Sequence, residues 1–495
     1  HRGDPLNQLV HSEYPKALRA GDLERVVACF APPLRDWARR DTEALLAGFA
    51  RVDRSRCVIH NADPPAKGGS VLTRCELRLD GVDKDGVART WQQERQITAA
   101  PVADGWRITA VEAGPATEER PGVRFVEEAA ARGLVATNHS RKTLNRAGEM
   151  QINLGTSGVA VGDVDGDGDD DVLLVSGDRL RLFRNDGGKF VDVTDASGIV
   201  TPPKGECRCA YFGDLDNDGD QDLFVGMLAT DNLLFRNLGG GKFQLVPQSE
   251  SGLRSSGHTS SACFADFDRD GDLDLVIVNG NNMYLVVPDP PQDATNAHPN
   301  QFFRNDGTGH FRDATAEVGL GDTRWGLACA VSDIDRDGDL DLFIANDVGA
   351  DVFYRNRGDG TFENATAAAG FRFHGSSMSA EFADLNGDGW PDLYVSGMAS
   401  NSRWMLNMPG FPLPAPAVLT FLFRNRVVAR VWEMFHGNRL YLNRRDGTFE
   451  EVSIPTRTYW LGWAWASICL DYDNDTNTDI YTANGMWTGE NPKDC

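Results

Sequence analysis

The sequence predicts a mainly β fold, a β-propeller, preceded by a smaller α+β domain. Three observations predict it. An acidic nine-residue pattern, D-x-D/N-x-D-G-x-x-D, recurs from residue 163 onward. Each copy opens into a β-rich run such as "DLDLVIVN", with the alternation of a strand. Each of the first five copies is then followed by a hairpin-like element, "LFRNDGGKF" in the first.

The 495 residues suggest two or three domains. Hydrophobic residues at 41% argue against wholesale disorder. The net charge of −24 excludes binding to nucleic acid or anionic membrane through general electrostatics. No apolar run reaches the ~18 residues of a membrane span, so none is expected. The chain opens at His1 without a start Met or signal peptide, as a processed or trimmed start would, which leaves secretion open.

Of nine cysteines, Cys57 and Cys75 sit on adjacent predicted strands and could pair. Cys207 and Cys209 lack the CxxC spacing of a zinc half-site, and the set is too scattered for a disulfide scaffold.

The full pattern lies at 163–171, 214–222, 266–274, 333–341 and 384–392, with a degraded copy at 471–479. The first acids are 51, 52, 67, 51 and 87 residues apart. The unit reads as strand, acidic loop, strand, strand, Gly turn, strand. The "NDG", "GDG" and "RDG" turns suit hairpins, because Gly and Asn accept positive φ. Four short strands in ~50 residues make a propeller blade. The two larger gaps are insertions, at 281–300 and about 399–438, expected to leave the sheet and individualise the surface.

"GVRFVEEAAARGLV" (122–135) matches the element that closes each unit, as in "GKFVDVTDASGIV". The propeller is therefore expected to begin with the last strand of a blade. The sixth copy, "SICLDYDNDTNTDIYTANG", is not followed by another "LFRN" element. The expectation is an incomplete last blade in a ring that is seven-bladed when complete, its open edge paired by other residues or by a second polypeptide.

Crowded carboxylates become tolerable around a dication. Ca²⁺ takes six to eight oxygens, and a nine-residue loop with side-chain oxygens at positions 1, 3, 5 and 9 and the carbonyl of position 7 wraps it. Gly at position 6 permits the sharp turn. The candidate metal residues are Asp163, Asp165, Asp167, Asp169 and Asp171 in the first loop and Asp214, Asp216, Asp218, Asp220 and Asp222 in the second. The third and fourth offer Asp266, Asp268, Asp270, Asp272 and Asp274, and Asp333, Asp335, Asp337, Asp339 and Asp341. The fifth offers Asp384, Asn386, Asp388, Trp390 (through its carbonyl) and Asp392; the sixth Asp471, Asp473, Asp475, Asn477 and Asp479. An EF-hand would need Glu at position 12, where the first loop has Leu174. About five or six ions are expected, and six would halve the net charge of −24. Thr476, at the glycine position of the sixth loop, is β-branched and strained at positive φ, so that loop should bind most weakly.

On these motifs the region from about residue 120 to 494 resembles FG-GAP/VCBS repeats, the units of integrin-alpha-like propellers. "GSSMSAEFADLNGDGWPDLYVSGM" (375–398) and "DIYTANGMWTGENPKD" (479–494) resemble the cartilage-acidic-protein-like branch, often associated with an ASPIC/UnbV domain. The resemblance implies a secreted or periplasmic, calcium-binding protein.

Residues 1–116 contain no acidic loop. Two helices split at Gly21-Asp22, with Asp22 as N-cap, and a third in "RDTEALLAGFARV" precede four strand-like runs. This order and "ALRAGDLERVVACF" resemble the NTF2-like (SnoaL-like) fold, whose pocket in some members carries acid–base chemistry; Tyr14, Asp36, Asp41 and His60 are candidates here. Residues 113–122 read as a linker and 117–495 as the propeller.

His258, His374 and His436 with Met378, Met398, Met405, Met408 and Met434 could hold a soft metal such as copper, although Met is also ordinary core filler. No phosphate loop, G-x-S-x-G elbow or HExxH motif is present. The reading favoured is a calcium-stabilised extracytoplasmic propeller that binds a protein or glycan ligand, as adhesion or scaffold module. The alternatives are a subunit of a complex whose propeller another polypeptide closes, and an enzyme, either a polysaccharide-cleaving propeller or acid–base chemistry in the N-terminal pocket.

Overall fold

The computed structural model describes residues 9, 13–62, 70–84, 88–102, 105–119, 127–136, 142–144, 150–152, 157–177, 179–201, 205–281, 286–290, 293–372, 374–398, 437–459 and 464–484. They form two compact units, His1–Val126 and Glu127–Cys495.

The first unit has helices Tyr14–Arg19, Leu23–Ala28 and Arg35–Leu46, then a four-stranded antiparallel sheet. The Asp22 side chain caps the second helix by accepting the Arg25 N–H at 3.1 Å. The strands are Arg51–Ala62, Val71–Val82, Ala88–Val102 and Gly105–Glu119, each paired with the next. Alternate residues of the second strand point inward, so that Cys75, Leu77 and Leu79 meet Leu18, Val26 and Phe30 of the helical layer in one core. Residues 113–119, read from sequence as linker, instead continue the fourth strand, with Thr90 opposite Glu119. The run of Gly114, Pro115 and Thr117 suggested a break, but pairing with a 15-residue neighbour outweighed it.

The second unit is a series of antiparallel sheets, mainly β as the repeats predict. The first five comprise Ser157–Gly162 to Phe190–Asp192, Glu206–Gly213 to Phe243–Val246, Ser256–Ala265 to Phe311–Asp313, Gly326–Ser332 to Phe362–Asn364, and Ser377–Ala383 to Phe449–Glu451. Each supplies four strands in sequence order, although the second and third are also joined edge to edge, with Leu228 opposite His258. The sixth pairs Ala464–Leu470 with Asp479–Asn484. Every acidic loop links a first strand to a second, and its ninth residue (Asp171, Asp222, Asp274, Asp341, Asp392, Asp479) opens that second strand.

Second strands such as Asp274–Asn279 are buried along their whole length, which explains their unbroken apolar runs. Successive side chains serve different neighbours. Leu223 and Val225 join a core with Leu173 and Leu182 of the first sheet, whereas Phe224 joins one with Leu275 and Phe303 of the third. The same division continues through Val276 with Leu342 and Phe343 with Leu393. The sheets therefore stack face on face, the packing of a propeller.

A short helix closes the first three sheets (Thr194–Ser197, Gln248–Ser251, Thr315–Val318), each ended by a left-handed glycine. A Cβ on Gly198 would lie 2.4 Å from the Phe243 carbonyl oxygen of the next sheet. Gly133 repeats this against Phe190, at 2.3 Å, and the Phe190 N–H donates to the Arg132 carbonyl. Residues 127–135 of the motif thus place a closing turn against the first sheet, while the strand expected at its start, 122–126, lies outside the described residues.

In the insertion at 281–300, Ala294 packs with Trp325 and Val348, and Trp325 Nε1 donates to Asn296 Oδ1 at 2.9 Å. The insertion at about 399–438 lies outside the described residues except for 437 and 438.

Candidate metal centre

Each loop is folded by its first aspartate. Asp163 accepts the N–H groups of Gly166, Asp167 and Gly168 at 2.9–3.1 Å. Asp214, Asp266, Asp333, Asp384 and Asp471 each accept at least the N–H groups of positions 5 and 6. Position 6 has positive φ throughout: 93° at Gly168, 95° at Gly271, and 74° at Thr476, where no glycine is present. Position 4 is also left-handed, a requirement that the sequence reading missed because Asn217, Arg269 and Arg336 occupy it without a shared residue type.

The ninth aspartate joins the loop to the third strand. Asp171 Oδ1 accepts the Asn185 N–H at 2.8 Å and its Oδ2 the Val164 N–H at 3.1 Å. Asp222, Asp274, Asp341 and Asp392 accept likewise from Asn237, Asn305, Asn356 and Asn443. These asparagines end the third strands, after an arginine in the first four units and Leu442 in the fifth, and the side chains of the last four reach the preceding sheet. Asn237 Nδ2 donates to the Val164 carbonyl, and Asn305, Asn356 and Asn443 donate to those of Leu215, Phe267 and Ile334, all at 2.8 Å.

The arginine of "RN" faces position 3. Arg236 lies 2.9 Å from Asp216, and Arg304 lies 2.7 Å from Asp268 and 2.8 Å from Asp274. Arg184 and Arg355 stand farther from Asp165 and Asp335, at 3.9 and 3.7 Å. In the fifth unit both partners change together, to Asn386 and Leu442. Neighbouring loops are also linked: Asn217 Nδ2 donates to Asp272 Oδ1 at 2.8 Å, Arg269 pairs with Asp339 at 3.0 Å, and Arg336 lies over the Trp390 ring. Position 7 thus has side-chain partners as well as a carbonyl.

Five groups of three aspartates bring carboxylate oxygens within 4.8 Å of one another, close enough to hold a metal ion. They are Asp163, Asp165 and Asp171; Asp214, Asp216 and Asp218; Asp266, Asp268 and Asp270; Asp333, Asp335 and Asp337; and Asp471, Asp473 and Asp479. The fifth loop forms no such group among the described residues: Asn386 Oδ1 accepts the Asp388 N–H, and Asp388 Oδ2 pairs with Arg445 at 2.9 Å. The sixth loop keeps its group although Thr476 is left-handed, so its expected weakness rests on strain alone.

One buried oxygen of the aspartate at position 3 in each of the first four loops, Oδ1 of Asp165, Asp216, Asp268 and Asp335, has no hydrogen-bond partner. Burial, and then mostly the neighbouring carboxylates, raise Asp165, Asp216 and Asp335, while at Asp268 the Arg304 guanidinium opposes the rise. Burial pushes Asp222, Asp274 and Asp341 up to about 7 despite their backbone donors. An all-oxygen set with inward oxygens left bare suits a hard cation.

The other candidates fare unevenly. In the first unit Tyr14 and Asp41 meet on buried Arg95, whose Nη1 donates to Tyr14 Oη at 3.1 Å and to Asp41 Oδ2 at 2.9 Å. Burial holds the Tyr14 hydroxyl above its usual range. Asp36 lies in the first turn of Arg35–Leu46 without joining this network, and the His60 side chain is outside the described structure. Arg95, the hub, carried no sequence signal beyond its place on a strand.

Of the proposed soft-metal set, Met405, Met408, Met434 and His436 lie outside the described residues, as does the His374 side chain. His258 stacks on His298 with ring centroids 5.1 Å apart, and burial pushes it down to about 4. Among the described residues, the groups placed to hold an ion consist of aspartates alone. Cys57 and Cys75 are both free thiols, in diagonal register with Cys57 opposite Leu77 and Ile59 opposite Cys75.

Residues 163–225, 214–277, 284–344 and 333–395 match the FG-GAP-like repeat family. Cartilage acidic protein 1 of Homo sapiens is 25% identical over 376 residues, covering 66% of this chain and 56% of that protein. Its Xenopus tropicalis counterpart is 25% identical over 382 residues, covering 66% and 57%. The chain thus spans just over half the length of the relatives it matches. Among solved structures, an Agrocybe aegerita lectin described as recognising non-reducing terminal N-acetylglucosamine superposes with a TM-score of 0.36 at 18% identity, covering 65% of this chain and 73% of the lectin. No helix among the described residues is long and apolar enough to cross a membrane.

Proposed function

We propose that this chain of FG-GAP-like repeats is a calcium-stabilised propeller that acts outside the cytoplasm as a binding or scaffold module for a protein or glycan. The observation that carries the reading is the bare, buried Oδ1 of Asp165, Asp216, Asp268 and Asp335, repeated at one position of four loops. A solvated acidic turn would leave such oxygens to water, whereas Ca²⁺ coordinates them and offsets the repulsion around them. The ligands would be the carboxylates of positions 1, 3, 5 and 9, with the carbonyl of position 7. In the fifth loop Asn386 replaces one carboxylate. The ion would hold rigid the loops that the Asn and Arg bridges already tie together, and the insertions would supply contacts to the partner. Similarity to cartilage acidic protein 1 supports the extracytoplasmic setting.

The first unit, helices against a curved antiparallel sheet, supports an NTF2-like reading. Its Tyr14–Arg95–Asp41 network would then brace the pocket wall. Thermal unfolding with calcium and with excess EDTA tests the main proposal. Loss of ions at ~100 times their Kd would remove ~2.7 kcal/mol per site and lower the Tm by ~10 °C or more in total. An unchanged melt would refute calcium stabilisation.

A second reading, in which a further strand completes the last sheet, is favoured by the exposure of Ile468 (50%) and Tyr481 (52%) and by the partnerless buried Asp479 Oδ2. That strand would come from residues outside those described or from another polypeptide. Native mass spectrometry separates the cases: a second chain lost on denaturation supports the polypeptide.

A further inference from the structure

The first strands of the third and fourth sheets, Ser256–Ala265 and Gly326–Ser332, carry Cys263 and Cys329. Both thiols rest on the same apolar core between the two sheets, beside Ala265, Val276 and Leu342. Cys329 Sγ lies 3.8 Å from Ser261 Oγ, which lies 2.8 Å from Tyr211 Oη. Cys263 follows Ser261 by two residues on the same strand, hence on the same face, which sets its thiol in interaction with that of Cys329. Both cysteines are only partly buried.

The first unit offers an internal comparison. Cys57 and Cys75 also neighbour each other, but at 2% and 0% exposure they are closed to any reagent. Two facing thiols become a reactive site when one can be approached from solvent, and among the described cysteines Cys263 and Cys329 combine proximity with access.

We propose that Cys263 and Cys329 form a thiol–disulfide site that links the inner strands of two neighbouring sheets. The oxidant is a low-molecular-weight disulfide. One thiolate attacks it, forming a mixed disulfide and releasing one small thiol. The second cysteine then attacks the protein sulfur, forming the Cys263–Cys329 bond and releasing the other small thiol. The protein loses two protons and two electrons, and the oxidant gains them as two thiols. The bond would add a covalent staple to sheets otherwise joined by apolar packing and by polar bridges such as Asn356 to Phe267 and Arg269 to Asp339. The hydrogen bond from Cys329, and then burial, hold Cys263 well above the ordinary thiol range, so the reaction should quicken as pH rises.

The test exposes the full chain to glutathione buffers from reducing to oxidising, quenches in acid, denatures, alkylates and maps peptides without reduction. The expected result is one linked peptide pair joining Cys263 to Cys329, a loss of ~2 Da, and Cys57 and Cys75 alkylated throughout. Single variants Cys263→Ser and Cys329→Ser, checked for native circular dichroism, should each abolish the linked pair. Alkylation of both thiols at every potential would overturn the proposal. So would separate glutathione adducts without a link, or linkage of either cysteine to Cys209.

Discussion

Asn356 Nδ2 donates to the Phe267 carbonyl at 2.8 Å, tying the third strand of the fourth sheet to the acidic loop of the third. Its backbone N–H binds Asp341 of its own loop at 2.9 Å. One residue therefore registers two neighbouring loops, and three other asparagines do the same. Asn356→Ala keeps the backbone bond but strands a buried carbonyl. It should destabilise the protein by ~1–3 kcal/mol, read as a lower denaturant midpoint at unchanged m-value. A shift below a few tenths would show that the bridge is incidental.

Arg304 stands between Asp268 and Asp274, and Asp274 is only 1% exposed. Arg304→Met removes its positive charge. In EDTA the buried carboxylate loses its partner, at a cost on the order of 3–5 kcal/mol; in calcium the ion supplies the missing charge. The variant's loss of Tm should therefore be larger in EDTA than in calcium. Equal losses would place the cation elsewhere.

Thr476 holds φ at 74°, where a β-branched side chain is strained. Thr476→Gly should stabilise the sixth sheet by ~1 kcal/mol and raise ion occupancy in its loop, which metal analysis of the variant would detect. Unchanged occupancy would mean that the loop's three carboxylates already suffice.

Asp351 is buried, accepts from the Asn346 N–H and Ser377 Oγ, and is pushed up to about 7 by burial. Its folded pKa exceeds the unfolded value of about 4, so the folded state holds its proton longer. The stability that it contributes is full below pH ~4 and is lost as pH rises toward 7. Asp351→Asn, which stays neutral, should gain stability relative to the parent across that window, by up to ~4 kcal/mol. Paired denaturant melts at pH 4.5 and 7.5 in EDTA check the sign. A difference that shrinks as pH rises would contradict it.

The sequence made the blades legible because one physical requirement, oxygen donors around a turn, recurs at fixed offsets. The apolar second strands followed, since Asp274–Asn279, Asp341–Asn346 and Asp392–Gly397 are buried on both faces. The Gly133 turn was legible from a short motif because only glycine fits against the Phe190 carbonyl. What connects the loops was not. Asn217, Arg269 and Arg336 share a backbone conformation but no chemistry, and the reach of Asn356 to Phe267 spans 89 residues. Burial of Asp351 and the meeting of Cys263 with Cys329 likewise depend on which strands become neighbours, and periodicity does not encode that.

The most direct test of the central claim is native mass spectrometry of the purified protein in calcium and after chelation. The expected result is a 54.1 kDa chain carrying about five or six calcium ions, lost together with thermal stability in EDTA. A chain that binds no calcium at millimolar concentration and melts at the same temperature in EDTA would contradict it.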